Sequence, residues 1–130
     1  MADSKEKTIA LLSSTTLNVQ SATQTNLYTV PTGKRCVLDH AKVICGSAAS
    51  TTAGLSFGQS TALTDFLTEQ TMTKLEAQYD CVICAPIPNA TPVKTKSYAA
   101  ATIIQCDVVT ADVDGSTDAI VLLYGTLYDA

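Results

Sequence analysis

Apolar and polar positions alternate along this chain in short runs separated by turn residues. The longest run is Lys34 to Gly46, KRCVLDHAKVICG, entered from Leu27–Val30 through a Pro31-Thr32-Gly33 corner. Pro31 fixes its own φ and removes a donor, and Gly33 supplies a permissive backbone. The pattern predicts a strand, a corner and one long central strand. Within that strand Cys36, Leu38, His40 and Ile44 fall on even positions, and Val37, Ala41, Val43 and Cys45 on odd ones. With apolar residues on both parities, either both faces are covered or a bulge switches the register.

The remaining runs are shorter. Residues 1–7 are charged and polar and read as an arm, and Thr8 to Val19, apolar at 9–12, 17 and 19, as a first strand followed by an irregular piece. The division is therefore an arm with its first strand at 1–20 and a sandwich domain at 21–130. Ser21 to Asn26 reads as loop, Leu27–Val30 as strand, 46–52 as loop, and Ala53 to Gln59, with Leu55 and Phe57 on one face, as strand. Ser60 to Glu76 is the one helical window: Leu63, Phe66, Leu67 and Gln70 fall at i, i+3, i+4, i+7, though its threonines limit it to one or two turns. Tyr79 to Ile87 is a strand closed by Pro86 and Pro88, and Asn89 to Pro92 a turn. Val93 to Val109 reads as a second long strand with Tyr98, Ile104, Cys106 and Val108 on one face. Asp112 to Asp118 carries Asp114-Gly115, a hairpin-turn signal, before a final strand, Ala119 to Tyr128, apolar on both faces and so central or covered by a partner.

About seven or eight strands with turn signals between them and no α/β alternation predict an all-β fold, a single-domain antiparallel sandwich. Two long strands with a wide excursion between them favour a jelly roll over a run of even hairpins.

Composition sharpens the functional side. Charged residues make up 15% of the 130, and the formal net charge is -4. Such a chain lacks the basic patch that nucleic acid requires, and no apolar run is long enough to span a bilayer. A surface rich in Thr, Ser, Gln and Asn suits packing against other protein copies. The start MADSKEKTIALL mixes acids and bases and has no signal-peptide core, which points to synthesis in a cytosol, where disulfides are uncommon. The five cysteines then read as small buried hydrophobes.

Several residue groups resemble sites. Cys81-x-x-Cys84 is half a zinc motif, with Cys36, Cys45, Cys106 and His40 as possible partners. Inside a strand, however, i and i+3 point to opposite faces, so the pair does not converge on one metal. His40 shares a strand parity with Cys36 but stands roughly 13 Å from it at ~3.3 Å per residue, and Asp39 alternates to the other face. Asp112-x-Asp114-Gly115-x-x-Asp118 has calcium-type donors without an EF-hand's distal Glu, and the turn explains it without a metal. Asn89-Ala90-Thr91 is a glycosylation sequon by letter only. Tyr28, Tyr79, Tyr98, Tyr124 and Tyr128 are the aromatics available to a sugar platform. No catalytic, cofactor-binding or metal-binding residue is assigned.

The segment LYTVPTGKRCVLDHAKVICG resembles small β-sandwich structural proteins of tailed bacteriophages, many of which run an LYTVPxGKR corner into a long strand. The resemblance continues through Ser97–Val109 and Ala119–Asp129. It implies a non-enzymatic virion protein, made in the host cytoplasm. The first role implied is a head decoration (cement) protein that binds the major capsid protein and stabilises the phage head shell. A tail, head–tail connector or fibre component is the alternative. Many such proteins are trimeric, which implies a homotrimer. A carbohydrate-binding module is the alternative of another class, and would require tyrosines exposed on one face.

Overall fold

The computed structural model describes residues 8–86, 96–114 and 118–130. In chain order its strands are β1 (Ala10–Asn18), β2 (Gln24–Thr29), β3 (Lys34–Cys45), β4 (Gly54–Gln59), β5 (Ala62–Thr71), β6 (Cys81–Cys84), β7 (Ser97–Tyr98), β8 (Ile103–Thr110) and β9 (Asp118–Asp129). Sheet A runs β1-β9-β3-β6, with β7 also paired to β3; sheet B runs β2-β8-β4-β5. Every pairing is antiparallel. The pairings are nested: β1 with β9, β2 with β8, β3 with β7 and β6, and β4 with β5. A long antiparallel ribbon folded over on itself into two sheets is a jelly roll, and its innermost hairpin turns at Ser60-Thr61.

The core lies between the sheets. From sheet A it receives Cys36, Leu38, Ala41, Val43 and Cys45 of β3 and Ala119, Val121, Leu123 and Leu127 of β9; from sheet B, Leu55 and Phe57 of β4 and Ile104, Cys106 and Val108 of β8. Each large apolar side chain so buried contributes about 1.5–3 kcal/mol.

The mixed parity of β3 resolves into a bulge. Leu38 pairs with Gly125 and His40 with Tyr124, which leaves Asp39 as the extra residue. Even positions point inward before the bulge and odd positions after it. On the other flank of β9, Leu11 pairs with Tyr124 and Ser13 with Leu123, so Leu12 is also an extra residue. The two bulges meet across Gly125, where an added Cβ would stand 2.7 Å from the Val37 carbonyl oxygen and 3.0 Å from Leu12 Cδ1.

Several expectations fail. The window 60–76 carries no helix; Ala62–Thr71 is β5. Leu55 pairs with Gln70, Phe57 with Leu67 and Gln59 with Ala62, so two steps along β4 face three and then five along β5. These irregularities space the apolar residues by three and four and imitate a helical stripe. The expected strand 93–109 is split, with its first three residues outside the described ones. β7 lies in sheet A and β8 in sheet B, and the chain crosses between them at Ala99–Thr102, with Ala101 at φ 69°. Ala101 N–H donates to Val30 and Val30 N–H to Thr102, fixing the crossing beside the Pro31 corner. The run SYAAAT contains no Gly or Pro to signal it. Finally, 112–118 is no hairpin, because β8 and β9 belong to different sheets. The predicted loop at 21–26 also gives its last three residues to β2, and the predicted turn at 89–92 lies outside the described residues.

Gly125→Ala should lower the unfolding free energy by about 1–3 kcal/mol through overpacking. Gly33→Ala, at φ 78° with open space around it, should cost only the left-handed penalty of about 1–2 kcal/mol. Urea melts of both variants check the pair; a Gly125→Ala protein as stable as the parent would contradict the bulge packing.

Candidate functional site

The sequence-selected residues separate in the fold. Cys81 is exposed on β6 while Cys84, three residues on, is buried, as strand parity requires. Cys36, Cys45 and Cys106 are buried too, and all five thiols are free. Burial pushes the Cys36 and Cys84 thiols up to about 11, and raises Cys106 further, with Cys84 and Asp107 adding to the effect. These thiols are neutral near pH 7 and so are poor nucleophiles. Cys81 departs from the expectation that all five are buried.

His40 does not share a face with Cys36, since the Asp39 bulge turns Cys36 inward and His40 outward. The same bulge overturns the expected opposition of Asp39 and His40: Asp39 Oδ2 lies 2.5 Å from His40 Nδ1. The imidazole stacks on Tyr124, with centroids 4.6 Å apart and planes 12° from parallel, and Lys42 Nζ lies 5.6 Å from the same ring. The histidine is held by an acid and a ring.

Asp112 and Asp114 hold a loop. Asp112 is buried; its Oδ1 accepts from the Thr52 hydroxyl at 2.9 Å and its Oδ2 from Asp114 N–H at 3.2 Å. Asp114 Oδ2 accepts from both the backbone and the hydroxyl of Thr51. These carboxylates tie the β8–β9 crossing to the β3–β4 loop. Among the described residues no cluster of three or more His, Cys, Asp or Glu could hold a metal ion.

The tyrosines do not form a platform. Tyr98 is buried, Tyr79 is 76% exposed at φ 74°, and Tyr28 belongs to sheet B whereas Tyr124 and Tyr128 belong to sheet A. The sequon at 89–91 lies outside the described residues.

Asp65, inside the window read as helical, gathers four hydrogen bonds that the sequence does not signal. Its Oδ1 accepts from Tyr98 Oη at 2.8 Å and Gln59 N–H at 3.2 Å, and its Oδ2 from Gln59 Nε2 at 2.7 Å and Lys96 Nζ at 2.8 Å. Burial alone would raise its pKa, but the bonds from Lys96, Tyr98 and Gln59 outweigh it and hold the carboxyl below the usual carboxylate range. Burial, then Asp65 itself, drives the Tyr98 hydroxyl far up. The cluster bridges the β4–β5 tip of sheet B and β7 of sheet A. A second clamp holds β7 to the end of β3: Arg35 Nε donates to Ser97 Oγ at 2.9 Å, and Ser97 Oγ lies 2.5 Å from Tyr128 Oη. An open groove of about 190 Å³ lies between β5 and β6, with Leu67, Met72, Val82 and Cys84 among its lining and Lys74 beside them. It brings no acid–base pair together. The described polar clusters therefore position strands and loops.

Because Asp65 has a depressed folded pKa, its contribution to stability is complete above about pH 4 and fades as pH falls through the lower folded value. Asp65→Asn should cost about 1–3 kcal/mol at pH 7, and the gap to the parent should close in acid. A gap independent of pH would contradict the linkage. A bulky thiol reagent should titrate one cysteine in the native protein and all five after denaturation, and Cys81→Ser should abolish the native reaction.

No family model matches the chain, and no curated protein matches it as a relative. Among solved structures, the fold is similar to a chain of the cyanophage Pam1 capsid asymmetric unit, at TM-score 0.55 and 12% identity over 91% of this chain and 84% of that one. It is also similar to a chain of the capsid of Ralstonia phage GP4, at TM-score 0.53 and 13% identity over 97% of this chain and 89% of that one. At such identities the similarity is one of fold: this chain is an all-β, two-sheet antiparallel sandwich of a kind found in two phage capsids.

Proposed function

We propose that this chain is a non-enzymatic structural protein of a tailed-phage virion, a decoration (cement) protein that binds the head shell as a homotrimer and stabilises it. The observation that carries this reading is the shared sandwich, which spans most of the Pam1 and GP4 capsid chains. The LYTVPTGKR corner supports it, as does a charged fraction of 15%. The described polar side chains act as clamps, which fits a part that holds shape and transforms nothing.

The mechanism would be burial of apolar and hydroxyl-rich surface across joints between shell subunits, at about 25 cal/mol per Å² of apolar area. Weak contacts repeated over a trimer then add through avidity. In this reading the residues ahead of β1 serve as an arm to a neighbouring subunit.

Copy number relative to the major shell protein in purified particles tests the proposal. Hundreds of copies are expected for a cement protein. A handful would move the chain to the tail, connector or fibre, and complete absence would overturn the virion reading.

A further inference from the structure

The sandwich is fastened by carboxylates at both ends, and each end has its own buried thiol. At the end of Cys36, Asp65 of β5 links the sheets. Tyr98 Oη donates to it from β7, Lys96 Nζ from just ahead of β7, and the backbone and side-chain amides of Gln59 from β4. At the end of Cys45, Asp112 and Asp114 hold Thr52 and Thr51. Cys36 and Cys45 are both fully buried and both on β3. At ~3.3 Å per residue they stand roughly 30 Å apart, so each reports on one end.

We infer that Asp65 is the latch of a local opening: when it loses its charge, the β4–β5 tip parts from β7 and bares Cys36, while the Cys45 end stays closed. The two sides of the latch are unequally held. β7 is paired to Cys36 and Val37 of β3, and Arg35 donates to Ser97 Oγ at 2.9 Å and to the Ser97 carbonyl at 3.0 Å. Just after β7, Ala101 N–H donates to Val30. β5, in contrast, is the edge strand of sheet B, paired to β4 alone and irregularly. Its turn is packed onto itself, since a Cβ on Gly58 would stand 2.3 Å from the Ala62 carbonyl oxygen. The tip is therefore the side that moves. Cys36 stands opposite Tyr98 in the β3–β7 pairing, so the parting uncovers these two side chains first.

Charge is what closes the latch. Lys96 is the cation on Asp65, Tyr98 and Gln59 supply neutral donors, and the Cys36 thiol lies behind Tyr98. Arg35 is turned to Ser97, and Glu69 of β5 to Thr110. Hydrogen bonds to an ionised acceptor are about twice as strong as neutral ones, and all four bonds to Asp65 come from residues outside β5. A neutral carboxyl is a poorer acceptor for Tyr98 and does not hold the Lys96 ammonium against water. The folded carboxyl titrates below its usual range, so the latch is complete above about pH 4 and is lost as pH falls through that lower value. Edge segments with few paired neighbours are where local opening begins.

Thiol labelling of the full chain carrying Cys81→Ser, with each cysteine read by peptide mass spectrometry, tests this. At pH 7, Asp65→Asn should raise the labelling rate of Cys36 relative to Cys45 by roughly tenfold, as for the loss of one charged hydrogen bond. Tyr98→Phe, which keeps the ring and loses the bond to Asp65, should raise the same ratio to a smaller degree and guards against a misfolded Asp65→Asn. With Asp65 and Tyr98 intact, the ratio should rise as pH is lowered toward about 3; reading both cysteines in one sample removes the pH dependence of the reagent. Selective acceleration of Cys36 in either variant supports the latch. Equal acceleration of both cysteines in both variants would mean that the chain opens as a whole. Unchanged Cys36 labelling in both would mean that the tip stays shut without Asp65. Either result overturns the inference.

Discussion

The close approach of β3 and β9 at Gly125 governs much of this structure. Because residue 125 lacks a Cβ, the Val37 carbonyl and Leu12 side chain can close over it from the two neighbouring strands. Both neighbours accommodate an extra residue there, Asp39 in β3 and Leu12 in β1. The consequence is a change of parity. Cys36 and Leu38 reach the core from even positions, and Ala41, Val43 and Cys45 from odd ones. Without the bulge, one half of β3 would send its apolar side chains out and its polar ones in.

The same parity change creates the outward row of His40, Lys42 and Ile44 beside Tyr124, Leu122 and Ile120. One backbone irregularity thus assigns both the inner packing of sheet A and the chemistry of its outer face. Sheet B is governed differently. Its pairings shift register in β2, in β8 and twice along β5, where Asp65 fastens the tip hairpin to β7. The two sheets are therefore joined at one end by a desolvated carboxylate and elsewhere by apolar packing and crossing loops.

The two-sheet class was legible because punctuation and alternation agree over most of the chain. β3, β4 and β9 match their sequence runs closely, and β1 runs on to Asn18 through the piece read as irregular. What was illegible follows from bulges and crossings. Leu63, Phe66 and Leu67 look helical because β5 runs more residues than its partner. The break between β7 and β8 is hidden in a run of alanines, since Ala101 adopts a left-handed φ where Gly would have signalled it. The Cys81/Cys84 separation was correctly derived from parity alone, whereas Asp39 and His40 were misassigned because one bulge reverses that rule. Asp65 escaped notice because its partners come from 59, 96 and 98, and only the nested topology brings them together.

Nesting has a consequence for synthesis. Sheet A closes by inserting β9 between β1 and β3, so a strand from the first twenty residues and one from the middle wait for the last dozen. While β9 is still within the ribosome, the edges of β1 and β3 that it will occupy remain unpaired. Non-local pairing of this kind folds slowly and exposes strand edges on the way. The β4–β5 hairpin, the most local pairing of the ribbon, has both its strands synthesised long before.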